Sequence, residues 1–446
     1  MKAVLRLGVA VSAIVAVCGC RPLDVLSTTR NQASPLRPPI EATDLDPAPD
    51  RLEVELVAEQ APDGSFRYSG ARPGPTLRAR VGDRVTVRLV NALDVPTTIH
   101  WHGVGVPNAM DGVPFVSGTV APGERFVYRF DVERAGTFWY HPHFDTARQV
   151  DRGLYGLFVV EDPAEPELPE LLLVLDDPDE GGPHPAHGHG ALARGWTVNG
   201  APAPVVHRLP RGERLRVRVL NASNAAYLWL HPEGLGLRVL ATDQGLQGGI
   251  SDARPLLAPG DRVELELAVE DAAALFTRAW SLNGGAVPWA GSQALVRFGV
   301  DVPSAAPPAP AWPHDGAAVS EDPGQTDVVW TFVGSDRSGR WTIDGETFPD
   351  VTPEVLPLGV PAIVEVRNMS PTEHPFHPHG FPFEVLSING RNPAFRTIED
   401  TVNVGIRERV RLRVVPDRAG TWMVHCHILP HADAGMMTLL EVPEGE

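Results

Sequence analysis

The sequence predicts an all-β chain of three consecutive Greek-key β-sandwiches. Three observations carry that reading: a pair of strand motifs that each occur three times, an abundance of turn residues, and no long stretch of helical period. At 446 residues the chain exceeds one sandwich and suits two to four domains. Its 45 prolines and 43 glycines can punctuate many short strands. Hydrophobic residues at 43% supply ample core for a soluble protein.

Residues 1–20 read as a targeting segment. Lys2 and Arg6 precede an apolar run, Leu7 to Val17, of signal-peptide length and too short to span a bilayer. The run ends in Val17-Cys18-Gly19-Cys20, which resembles a bacterial lipobox with Cys20 as the acylated residue, although Cys18 stands where a small residue is usual. An ordinary cleaved signal peptide is the alternative. With Arg6 but no twin arginine, export in the unfolded state is expected. The expected destination is the periplasm or cell surface, with membrane contact only through the N-terminal lipid. Cys18 then leaves with the signal, Cys20 carries lipid, and Cys426 alone remains in the fold. In an oxidising compartment, a thiol with no disulfide partner is a candidate metal ligand.

Residues 21–50, rich in Pro, Asp and Ser, read as a tether, and 303–325 as an interdomain linker. The sandwiches are placed at 51–163, 164–302 and 326–446. One repeat is a strand ending in Asn: VTVRLVNAL from Val85, LRVRVLNAS from Leu215 and AIVEVRNMS from Ala362. Val85, Val87 and Leu89 alternate with Thr86 and Arg88, the period of a half-buried strand. The second repeat is APGERFVYRF from Ala121, APGDRVELEL from Ala258 and IRERVRLRV from Ile406. The marker residues Asn91, Asn221 and Asn368 lie 130 and 147 positions apart, which suits one sandwich per repeat.

The histidines follow the repeat. Nine and eleven residues after Asn91 stand His100 and His102, and the same count from Asn368 reaches His377 and His379. ERAGTFWYHPH, ending at His143, aligns with DRAGTWMVHCH, ending at His427, so His141 and His143 correspond to His425 and His427. Leu230 and Pro232 occupy the counted positions of the middle domain. The expected geometry is a seam of eight histidines between the first and third domains, with the second as spacer.

Each pair has the form His-x-His, whose side chains share one face of an extended segment and can reach one metal cluster. Imidazole alone does not choose between copper, zinc, iron and nickel. Cys426 does, because it falls on the opposite face from His425 and His427 and opens a second site behind them. His374 and His431 complete a trigonal His₂Cys set and Met436 is placed as weak axial ligand, the ligand set of blue copper.

The motifs HWHG (100–103), HPH (141–143), HPFHPH (374–379) and HCHILPHADAGM (425–436) together resemble the multicopper oxidase signature, over roughly residues 50–443. The resemblance implies three cupredoxin domains and four copper ions, one type 1, one type 2 and two type 3. It implies a type 1 site at His374, Cys426, His431 and Met436, and type 2 ligands His100 and His377. One type 3 ion would be held by His102, His141 and His427, the other by His143, His379 and His425. Asp111 in AMDGVP matches an acidic residue that delivers protons to oxygen in this family; otherwise it is an Asp-Gly turn residue. Ala432 departs from the nearest bacterial pattern, where an acid often follows the histidine.

The implied function is laccase-like. A small phenolic or aromatic amine donor is oxidised at the type 1 copper, and dioxygen is reduced to water at the trinuclear cluster. An axial methionine suits such easily oxidised donors. A Cu(I) or other metal-ion donor is the runner-up, but the six methionines form no rich segment. The alternative of another class, a non-catalytic copper-binding or scaffold protein of this fold, is disfavoured by the complete ligand set. Two-domain copper nitrite reductases carry their cysteine in the first domain, which here has none. A net charge of −18 and a single lysine, Lys2, argue against nucleic acid as a partner. A monomer is expected. His184, His187 and His189 lie in a Gly/Pro loop read as solvated, with an accessory copper site as alternative. His207, His231 and His314 receive no role.

Overall fold

Alternation of apolar and polar residues sets the strands. In Arg51–Gln60 the side chains of Leu52, Val54, Leu56 and Ala58 turn inward, and in Arg84–Asn91 those of Val85, Val87 and Leu89 do. The structure, a computed structural model, describes residues 33–177, 195–281, 285–286, 292–303, 308–313, 317–335 and 339–445. The targeting segment, the His184/His187/His189 loop and His314 lie outside these residues.

The chain is all-β, with three consecutive cupredoxin-like sandwiches. The first packs a four-stranded sheet holding Arg51–Gln60, Arg84–Asn91 and Arg125–Asp131 against a four-stranded sheet holding His100–His102 and Gly136–His141. The second has seven- and six-stranded sheets, the third six- and five-stranded sheets. In each sandwich the Asn-terminated strand is flanked alike. It runs parallel to the opening strand: Arg51–Gln60, Glu170–Asp176 or Val328–Ser335. On its other side it runs antiparallel to the second repeat: Arg125–Asp131, Arg262–Val269 or Arg409–Val414. The two sequence repeats are therefore neighbouring strands.

The marker asparagines are buried clamps. Asn91 Nδ2 donates to the carbonyls of Val95 (2.9 Å) and Val120 (2.8 Å), and its Oδ1 accepts Leu93 N–H (3.0 Å). Asn368 does the same with Thr372, Val404 and Ser370, and Asn221 with Ala226, Leu257 and Ser223. A short amide is suited to this, since it satisfies a turning backbone from both sides.

Two connecting segments are tighter than expected. Of the stretch read as a tether, residues 33–50 are pinned across two sandwiches. Leu36 N–H donates to Val206 O (2.7 Å), Val206 N–H to Ser34 O (2.8 Å), Thr76 N–H to Ile40 O (2.7 Å) and Ala42 N–H to Thr76 O (2.8 Å). The described part of the 303–325 linker is anchored by Trp312, which is buried against Leu240 and Ala241 and donates to Glu266 Oε2 at 2.6 Å. Extended Pro-rich backbone can bond strand edges, which is why its composition misleads.

All three sandwiches meet at one apolar cluster. Trp139, Val150, Tyr155, Leu157 and Val159 pack on Leu172, Val174, Leu220 and Ala222 and on Leu429. Burial of each large side chain there contributes about 1.5–3 kcal/mol, which fixes the domains around the seam.

Candidate metal centre

The histidines sit on paired strands in matching register. His100 lies opposite His141 across one antiparallel pair, and His377 opposite His425 across another, with Phe376 opposite Cys426. The first sandwich and the third thus present equivalent histidines to each other. Ring stacks cross the seam: His100 on His379 and His102 on His377, each with centroids 3.8 Å apart.

Among the described residues five groups of potential ligand atoms result, each with all its atoms within 4.8 Å of one another; one joins Asp111 to His100 and His379, and the other four contain no carboxylate. These four are His100 with His102 and His377; His102 with His141 and His427; His143 with His379 and His425; and His374 with Cys426 and His431. The sequence-selected residues are therefore brought together, the first three groups contiguous and the fourth behind them.

The donor set fits metal ions. His100 Nε2, His102 Nδ1, His141 Nε2, His143 Nε2, His377 Nε2 and both nitrogens of His427 are buried without a hydrogen-bond partner, which in a metal-free interior is costly. His379 Nε2 and His425 Nε2 face each other at 3.1 Å. Meanwhile the opposite nitrogens are fixed. Nδ1–H groups donate from His100 to Asp111 O (3.0 Å), from His141 to Pro142 O (2.9 Å), from His377 to Asp400 O (2.7 Å) and from His425 to Cys426 O (2.9 Å). Each such bond sets a tautomer and aims the bare nitrogen inward. His102 is turned the other way, with Nε2 on Asp400 Oδ1 (2.9 Å) and Thr401 Oγ1 (3.0 Å). Burial holds His102, His141, His143, His377, His379 and His427 well below the usual histidine range, and His425 at about 4. They are neutral, as metal ligands must be.

At the fourth group, His374 Nδ1 lies 3.4 Å from Cys426 Sγ and 3.3 Å from His431 Nδ1, and Sγ lies 3.9 Å from His431 Nδ1. Ser370 Oγ, 2.6 Å from His374 Nε2, anchors that ring, and Trp341 stacks on His431 with centroids 3.8 Å apart. Burial pushes the Cys426 thiol well above the usual thiol range. Met436 is fully buried in the same core, and its carbonyl accepts Cys426 N–H at 3.1 Å.

Asp111 is buried between two histidines. Its Oδ2 lies 2.8 Å from His379 Nδ1, its Oδ1 3.3 Å from His100 Nδ1. It also sits at a bend before Gly112, where a Cβ would stand 1.8 Å from Ile99 O. Ala432 is buried, and the next residue, Asp433, accepts Ala147 N–H (3.0 Å).

Sequence reasoning missed Asp400 and Thr401, which hold His102 and His377, and Trp139, whose ring lies 4.3 Å from His141. It also read the middle domain as a spacer. Instead, Arg262 and Asp243 of that domain contact Asp400 and Thr401 directly.

A sequence family described as multicopper oxidase matches residues 56–165 and 321–446. The multicopper oxidase mco of Staphylococcus haemolyticus is 30% identical over 407 residues, covering 84% of this chain and 83% of that protein. Among solved structures, a multicopper oxidase from Campylobacter jejuni described as a metallo-oxidase superposes with a TM-score of 0.80. It is 27% identical, over 93% of this chain and 96% of its own. A laccase-like multicopper oxidase from a lignin-degrading Ochrobactrum sp., with oxidase activity towards lignin model compounds and lignosulfonate, gives a TM-score of 0.79. It is 27% identical, over 92% of this chain and all of its own.

Proposed function

Because the chain belongs to the multicopper oxidase family, and so is a copper-containing oxidoreductase that takes electrons from a reducing substrate and passes them to dioxygen, we propose that it is a laccase-like enzyme holding four copper ions. His374, Cys426, His431 and Met436 would hold the type 1 ion, His100 and His377 the type 2 ion. His102, His141 and His427 would hold one type 3 ion, and His143, His379 and His425 the other. The observation that supports this most is the set of buried, partnerless imidazole nitrogens converging on one seam beside a buried thiol.

Copper, when bound, supplies the one-electron chemistry that collects electrons from the donor and delivers four to dioxygen, avoiding partly reduced oxygen. The chain's own residues do the rest. Cys426 is joined through one peptide to His425 and one to His427, so a short covalent path links the two ligand sets. Backbone carbonyls hold His100, His141, His377 and His425 in single tautomers. Asp111, a buried carboxylate on His379 and His100, is placed to relay protons, which oxygen reduction consumes. Trp341 stacks on His431 and steadies that ring.

An electron-rich phenol or aromatic amine is the preferred donor, supported by the lack of a methionine-rich segment and the likeness to the Ochrobactrum enzyme. The likeness to a metallo-oxidase keeps Cu(I) as a second reading. Export, a lipid on Cys20 and a monomeric state complete the proposal, supported by the N-terminal sequence and by one chain supplying the whole ligand set.

The test is the copper-loaded protein beside a Cys426→Ser variant, with visible absorption and oxygen uptake recorded on a phenol and on Cu(I). Wild type is expected to show an intense thiolate-to-copper band with oxygen consumption, and the variant neither. Copper binding without the band, or the band without oxygen uptake, would refute the oxidase reading. Faster turnover on Cu(I) than on the phenol would reverse the donor preference.

A further inference from the structure

The middle sandwich lacks histidines at the counted positions, yet it reaches the cluster through Arg262. This side chain, the first of strand Arg262–Val269, is fully buried. All five of its donors are used. Nε donates to Thr137 O (2.8 Å), and Nη1 to Gly260 O (2.9 Å) and Asp400 Oδ1 (2.8 Å). Nη2 donates to Asp400 Oδ2 and to Asp243 O (3.3 Å). The fork therefore grips Asp400 with both arms, a geometry open to arginine and not to lysine.

Asp243 supports the same segment from the other side. Its Oδ2 accepts the N–H groups of Thr401 (3.0 Å) and Asp400 (3.3 Å), while its Oδ1 accepts Arg262 N–H (2.9 Å). Gln244 Nε2 adds a bond to Asp400 Oδ2 at 2.6 Å. The segment so fixed carries every hydrogen bond that orients two facing rings. Asp400 Oδ1 and Thr401 Oγ1 hold His102 Nε2, and Asp400 O holds His377 Nδ1. Those rings stack within 7° of parallel, one from the first sandwich and one from the third.

From this we infer that Arg262 and Asp243 are positioning residues for the trinuclear cluster. They lock residues 400–401 so that His102 presents Nδ1 and His377 presents Nε2 to the metal. This rests on the reading of His102 and His377 as copper ligands. Without the guanidinium, Asp400 would be a buried carboxylate short of donors and would turn toward others, releasing His102 to rotate. The type 1 set shares none of these residues, so the effect should stop at the cluster.

The experiment compares copper-loaded wild type with Arg262→Met, Arg262→Lys and Asp243→Asn. It measures copper per chain, the electron paramagnetic resonance signal of type 2 copper, the visible thiolate band, and the rate of copper loss to a chelator. Arg262→Met is expected to keep the visible band, alter the type 2 signal and lose cluster copper about 10–100-fold faster, the range typical when support behind a ligand is removed. Arg262→Lys should fall between it and wild type, having the charge without the fork. Asp243→Asn should change the same signal in the same direction, and it decides the matter if Arg262→Met does not fold.

Variants with wild-type type 2 signal and copper retention would overturn the inference. So would cluster copper and the visible band weakening by one common factor, which marks a general loosening. A wild type that holds no cluster copper would instead sink the ligand reading beneath it.

Discussion

Cys426 and the histidines differ in what they surrender when copper arrives. Burial keeps the thiol protonated well past neutral pH, while it keeps eight of the histidines neutral. The sign follows. A raised thiol must release its proton to ligate, whereas a lowered imidazole has none to release, so affinity for copper at Cys426 rises with pH. At pH 8, loading the copper-free fold should release about one proton per chain, and loading Cys426→Ser none. Titration calorimetry in buffers of different ionisation enthalpy measures this directly. At Asp111 the expectation concerns rate. Asp111→Asn should retain its copper and lower oxygen uptake at saturating donor by about 10²-fold, the scale of a lost acid–base group. Unchanged turnover would leave Asp111 with its turn alone.

At the scale of the element, the asparagine clamps make a stability prediction. Asn368→Ala strands two buried carbonyls and one buried N–H, so it should cost about 2–4 kcal/mol in urea unfolding. This element also shows what was legible in the sequence. The asparagines were visible as a repeat because each ends the central strand of its sheet, and a repeated backbone need leaves a repeated residue. Their reason was not visible, since each ties a carbonyl four or five residues on to another that lies 29–36 residues away in sequence. The His-x-His pairs were legible for the same cause: strand period alone puts i and i+2 on one face. Arg262 was not. Its counterparts in the other repeats, Arg125 and Arg409, occupy the same strand position and are exposed, and only the docking of sandwiches buries the middle one. Residues 33–50 misled in the reverse direction, because proline-rich backbone looks loose whether or not it lies along a strand edge.

At the scale of the whole molecule, the two ligand sets have different architectures. The Cys426 group lies entirely within the third sandwich, while the histidine cluster is shared between the first and third. A His141→Ala/His143→Ala double variant should therefore keep the visible band and lose oxygen uptake to background, as absorbance and an oxygen electrode on one sample will show. Loss of the band as well would mean that the sites are not separable.

One feature of the chain's path bears on its failures. The segment His425–His427 serves both ligand sets at once. A chain that stops in synthesis before His425 loses its electron inlet together with its oxygen outlet. On the proposed function, a chain that lacks this segment can neither draw electrons from a donor nor leak them one at a time, so a break before it disarms the protein instead of making it harmful.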